Sequence, residues 1–455
     1  MKSILFPIVL VLLFSSCTNK EAQTKPVSNL ESQVDSLIKT YIDSSKIAGI
    51  AIGVFKRDEK ILLKSYGFAD LEFDVKLPVN ASFEIGSITK QFTAAAILQL
   101  AENRKINLDD EITKYINFNT QGKRITVRQL LSHTSGIKGY TEMPEFGILS
   151  MQKYSRDTLL RIMEKKSYDF DPGEELIYSN TGFFMLGLII EKVSGLTYEE
   201  YVQKNLFERA GMTNSYYGSE NKVIKNRAHG YDTDKDGLVR AAYLNHTWPF
   251  AAGSLCSTVE DLVNWNNALH HGKILSDSMY QEYISPFRLN DGTLTRYAKG
   301  ITVTDHNGRK MFEHAGGING FLSENRYFPN ENISIIVLIN STGSVSPVKV
   351  ADFITEIIFG KPSNELHAYS GDLSKFTGTY KGHGSGRDMI ANVTKNDSVI
   401  LLKIDDSEPI YLNYLNKNLW VDKSSSTYKF LGSEDSINEL QIDGVYGFYI
   451  LKKNK

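Results

Sequence analysis

The chain has 455 residues and only two cysteines, Cys17 and Cys256. So few cysteines exclude a disulfide framework, and no histidine or cysteine cluster shows metal-ligand spacing. Net charge is also missing: the formal balance is −2, which leaves no basic footprint for nucleic acid. The apolar run "ILFPIVLVLLF" is too short to span a bilayer. No internal repeat appears, and nothing in the sequence asks for a metal or a cofactor.

What is present is ordinary in bulk and specific in places. With 41% hydrophobic and 23% charged residues, the composition is globular, and the length suggests two or three domains. The 24 tyrosines and 23 phenylalanines favour substantial β-structure. Lys2, the apolar run and the small residues after it read as a secretory signal over residues 1–16. Within it, Leu13-Phe14-Ser15-Ser16-Cys17 resembles a bacterial lipobox. That makes Cys17 the lipidated residue and residues 17–29 a polar tether. The expectation is a lipid-anchored protein of the bacterial cell envelope, periplasmic or on the surface. Cys256, left without a partner, reads as a small buried apolar side chain.

Along the chain, residues 28–45 have helical spacing, and "GIAIGVFKRDEKILLKSYGFAD" reads as a hairpin with a charged turn. "ITKQFTAAAILQLAENRK" is apolar almost all round, so a buried helix is expected. Residues 109–250 show helices and loops with few strands. Capping boxes are expected at Thr197–Glu200 and Ser257–Glu260. Strand character returns at "KMFEHAGG" and "ISIIVLIN", followed by a helix at "PVKVADFITEIIFG". One sheet built from both ends with a helical insertion, of the α+β class, accounts for that order. Short alternating segments after residue 366 indicate a separate antiparallel β-domain, barrel-like, over 366–455. A chain ending near residue 362 is therefore expected to fold.

Ser87-x-x-Lys90 places a serine one helical turn ahead of a lysine, but six other Ser-x-x-Lys matches occur, at Ser36, Ser135, Ser150, Ser219, Ser346 and Ser426. Only Ser87 stands just before a long apolar helix. There the lysine loses hydration and its pKa falls toward that of a usable base. Tyr178-x-Asn180 precedes a second apolar helix; the tyrosine can move a proton and the amide can hold a substrate carbonyl. His314-x-Gly316-Gly317 lies on a strand edge, where the glycines leave room for a substrate and the Gly317 N–H can face a carbonyl oxygen. Each triplet is cheap alone, since Tyr-x-Asn and His-x-Gly both recur in the chain. Asp232–Gly237 resembles the start of a calcium loop, but position twelve is Tyr243, so a hairpin turn is the better reading. His270-His271 reads as a helix end and His133 as scaffold.

In order, "SITK", "YSN" and "HAG" resemble the three active-site elements of the serine β-lactamase and penicillin-binding-protein superfamily. "TVRQLLSHTSGI", "YSNTGFFMLGLIIEKVSG", "AAGSLCSTVEDLVNWNNAL" and "GFADLEFDVKLPVNASFEIGSITK" are similar to longer blocks of its class C β-lactamase, D-aminopeptidase and esterase branch. The resemblance covers residues 30–360. It implies an antiparallel sheet flanked by helices over 30–362, with the β-domain appended. It also implies a serine hydrolase with Ser87 as nucleophile, Lys90 and Tyr178 sharing its proton, and Asn180, His314, Gly316 and Gly317 binding substrate. The family's β-lactamases usually carry lysine where this chain has His314. That departure favours a D-amino-acid peptidase or an esterase over a β-lactamase. A silent acyl-accepting binder of peptidoglycan or β-lactams is the alternative from another class. Expected partners are a small or peptide substrate and, through the anchor, a membrane.

Overall fold

In the computed structural model, the described residues are 29–454 except 219–220, 362–368, 385–386, 397–398, 424–425, 434–435 and 445. Cys17 and the whole signal and tether reading lie outside them, as does the boundary between the two expected domains. No helix among the described residues is long and apolar enough to cross a membrane.

The first hairpin, Gly49–Lys56 with Glu59–Asp70, joins strands from residues 302–339. A seven-stranded antiparallel sheet results, ordered 302–306, 309–318, 321–328, 333–339, 49–56, 59–70, 75–76. Its centre is the strand Ile333–Ile339, apolar at every position but Ser334 and buried along its whole length. Apolar residues on both faces of the strand mean that both are covered. Ile335, Val337 and Ile339 pack toward the helices Leu30–Asp43 and Pro347–Phe359, while Ile336 and Leu338 face the helical insertion. Behind the site-bearing strands, Arg326 is buried against Glu313, Glu324 and Asp352.

The helical insertion is built around Thr89–Glu102, buried on nearly every face as its sequence requires, and Asn180–Ser194. The capping box at Thr197–Glu200 is present. The second cap sits one residue later than expected. Thr258 Oγ1 accepts from the Asp261 N–H at 3.2 Å, because Ser257 is committed to a strand paired with Phe83. Asp232–Gly237 forms a hairpin, with Asp234 opposite Gly237. Cys256 is buried, and burial pushes its thiol pKa up.

The C-terminal strands 378–384 to 447–453 form a closed antiparallel barrel, the first pairing with the last. It also makes contacts with the rest of the chain. Its last strand, Gly447–Lys453, also pairs with the two-residue strand Leu176–Ile177 of the helical insertion. Phe448 completes an apolar cluster with Leu176, Leu289 and Tyr297, and Arg296 reaches Asp443 of the barrel at 3.0 Å.

Candidate active site

Ser87 sits in a single 3₁₀ turn, Gly86–Ile88, that runs straight into the buried helix. Gly86 has φ +49°, in the left-handed region, and a Cβ there would lie 2.8 Å from the Gly317 nitrogen. At Gly316 a Cβ would lie 2.1 Å from the Ile85 carbonyl oxygen. Only glycine at these positions lets strand Arg309–Ile318 approach the serine turn so closely. Ser323 on the next strand fastens the contact, donating to the Ile85 carbonyl at 2.9 Å.

The Lys90 amine is fully buried and meets three oxygens: Ser87 Oγ at 3.0 Å, Asn180 Oδ1 at 2.7 Å and the Ala252 carbonyl at 2.8 Å. No carboxylate pairs with it among the described residues, and burial holds its pKa well below the usual lysine range. Two of the three oxygens can only accept. Ser87 Oγ, the one hydroxyl of the three, can also donate, so an amine that has lost its proton can accept from it. Asn180 is fixed on its other side by donating Nδ2–H to Thr141 Oγ1 at 3.1 Å.

Tyr178 lies over the same amine, its ring centroid 4.7 Å from Lys90 Nζ. The phenol is buried without a hydrogen bond of ordinary geometry. Burial drives its pKa up, and the nearby Ser87 side chain takes back part of the rise. His133 holds this tyrosine from both sides along the chain. Its carbonyl accepts the Ile177 N–H at 3.1 Å, its Nδ1 accepts the Ser179 N–H at 3.1 Å, and its ring packs at a tilt against Tyr178, centroids 4.2 Å apart. The backbone of His133 is left-handed, φ +59°. The scaffold reading of His133 acquires a target: the tyrosine itself.

His314 is placed differently from a free substrate contact. It is buried, its Nδ1–H donates to the Ala315 carbonyl at 2.6 Å, and its Nε2 accepts from the Tyr297 hydroxyl at 3.0 Å. Burial, with the Lys90 amine close by, lowers its pKa to about 3. The ring is neutral, and both its nitrogens are engaged by the protein. The pairing of strand Arg309–Ile318 with Thr302–His306 ends at Glu313, so from His314 onward no strand among the described residues pairs with this edge. His270, by contrast, stacks on Tyr327 at a helix end, as its position implied.

Ser87, Lys90, Tyr178, Asn180, Gly316 and Gly317 thus meet in one place. Sequence reasoning missed Tyr297, Thr141, the Ala252 carbonyl and Tyr446, a barrel residue whose ring lies 5.6 Å from Tyr178. Only Tyr446 had a signal, an aromatic in the glycine-flanked turn 444–447. A surface cavity of about 540 Å³ between Arg104 and Met279 contains none of these groups; Lys114–Asp110 and Arg128–Glu282 pairs line it.

Protein flp of Staphylococcus aureus (strain N315) is 28% identical over 344 residues, 74% of this chain and 68% of that protein. A D-aminopeptidase of Brucella anthropi is 26% identical over 352 residues, 76% of this chain and 66% of its own length. Among solved structures, the octameric penicillin-binding protein homologue from Pyrococcus abyssi superposes with a TM-score of 0.67 at 25% identity, covering 93% of this chain and all of that one. The Beta-lactamase family model matches residues 34–357, and with that extent of match the chain belongs to the β-lactamase family.

Proposed function

We propose that the protein is a serine hydrolase working through an acyl-enzyme on Ser87, with small amides or esters of D-amino acids as substrates. The observation that carries the reading is the Lys90 amine, fully buried and without a carboxylate partner among the described residues, with Ser87 Oγ 3.0 Å away and Asn180 Oδ1 and the Ala252 carbonyl at 2.7 and 2.8 Å. Ser87 Oγ attacks the substrate carbonyl as its proton passes to the Lys90 lone pair. The carbonyl electrons move onto oxygen, held by the Ser87 and Gly317 N–H groups. When the bond to the leaving group breaks, Tyr178 donates its phenolic proton to the departing nitrogen or oxygen and regains one from the Lys90 ammonium. Water then attacks the ester by the same route reversed, returning a proton to Ser87 Oγ. The raised pKa of Tyr178 keeps its phenol protonated, with a proton to give, and the lowered pKa of Lys90 suits the base role.

Substrate choice is argued from His314. A neutral ring with both nitrogens engaged supplies no cation for a substrate carboxylate at this strand position, in keeping with amide or ester substrates. The similarity to a D-aminopeptidase supports the same class. A lipid anchor on Cys17 at the cell envelope completes the proposal. Side-by-side assays of p-nitrophenyl esters, D-amino-acid p-nitroanilides and nitrocefin test it: the first two turn over, and Ser87→Ala abolishes turnover and fluorophosphonate labelling together. Undiminished hydrolysis in Ser87→Ala refutes the assignment.

A further inference from the structure

The bare edge of strand Arg309–Ile318 is not open along its whole length. The Ala315 N–H, which points outward from that edge, donates to the hydroxyl oxygen of Tyr446 at 2.7 Å. Tyr446 belongs to the barrel, in the turn between the paired residues Gly444 and Gly447. Its ring packs against Tyr178 at 5.6 Å and His314 at 5.2 Å. The strand that follows it pairs with Leu176–Ile177, directly ahead of Tyr178. Tyr446 is therefore anchored on both sides of the cleft.

Alternate residues of a strand send their N–H groups to the same edge. Ala315 and Gly317 therefore face outward together, separated by about 7 Å at roughly 3.3 Å per residue. Gly317 supplies the proposed oxyanion donor, and Ala315 is already taken. A substrate lying along the edge on the Ala315 side meets the tyrosine after about 7 Å, a span of two extended residues at most. One of those is the residue whose carbonyl is attacked. We propose that Tyr446 is a specificity residue that ends the cleft on the leaving-group side, so that no more than one residue fits beyond the attacked carbonyl and hydrolysis proceeds from a chain end. The inference rests on the hydrolase reading above. It adds the size class of the substrate and gives the barrel a direct part in choosing it.

The test uses the full-length protein and tetra-D-alanine, with products separated by chromatography at early times. The wild type releases free D-alanine and the trimer. Tyr446→Gly opens the edge and yields D-alanyl-D-alanine, raising the dimer-to-monomer ratio about tenfold or more. Tyr446→Phe keeps the ring and stays chain-end specific, which separates closure from a general loss of packing. Early dimer release by the wild type, or an unchanged pattern in a folded Tyr446→Gly, overturns the inference. Labelling Ser87 with a small and a long-tailed fluorophosphonate keeps the two readings distinguishable. If neither labels, the hydrolase reading falls and this one with it. If Ser87 labels with a size preference that Tyr446→Gly leaves as it was, this inference alone falls.

Discussion

Lys90 is the residue on which the chemistry turns, because burial favours its neutral form. Replacing it by arginine installs a permanent cation, and kcat/KM should fall about 10²–10⁴-fold, the usual worth of a general base. A pH-independent residual rate equal to wild type would contradict the base role. The same burial has a sign in stability. The unfolded lysine keeps its proton up to about 10.5, whereas the folded one gives it up at lower pH. Between those two points the unfolded chain binds more protons, so stability rises with pH. Urea midpoints measured from pH 7 to 10 should climb more steeply in wild type than in Lys90→Met. His314, with a pKa near 3, stays neutral throughout, and kcat/KM should show no histidine inflection near pH 6.5.

At the level of elements, two local devices set the geometry. His133 pins Ile177 and Ser179, the two residues flanking Tyr178. His133→Ala should lower kcat about 10–100-fold, the cost of a misplaced group, with KM changing less. His133→Asn should recover part of the loss, since asparagine tolerates the left-handed backbone and offers an acceptor. Full activity in the alanine variant would show that the clamp is idle. The glycine contact is the second device. Gly316→Ala puts a methyl 2.1 Å from the Ile85 oxygen, which forces strand and serine turn apart. A folded variant should lose about 10²-fold or more in kcat, read by circular dichroism and turnover on the same sample.

For the whole molecule, the decisive feature is that the barrel is sewn to the catalytic region. Ending the chain near residue 362 removes Phe448 and the strand paired with Leu176–Ile177. Leu176, Leu289 and Tyr297 then lose their cover, at about 1.5–3 kcal/mol for each large apolar side chain fully exposed. The truncated chain should melt at lower temperature and turn over poorly, because Tyr297 also orients His314. Wild-type melting and turnover after truncation would restore the picture of two independent domains.

Sequence alone determined what depends on neighbours in the chain. The helix after Ser87 is legible because it is apolar almost all round, and the strand Ile333–Ile339 because it is apolar at every position but Ser334. Ser87 and Lys90 share a turn, so their meeting needs only that helix to form. The capping box at Ser257–Glu260 was misplaced by one residue, since strand pairing with Phe83 claims Ser257 and no local pattern reveals it. Tertiary structure decided the rest: that Asn180 and Ala252, 90 and 162 positions away, accept hydrogen bonds from Lys90, and that Tyr446 arrives from the far end of the chain to occupy the Ala315 N–H. Those contacts arise from how layers and domains pack, and a contact between distant segments leaves no period or spacing in a single sequence by which it could be read.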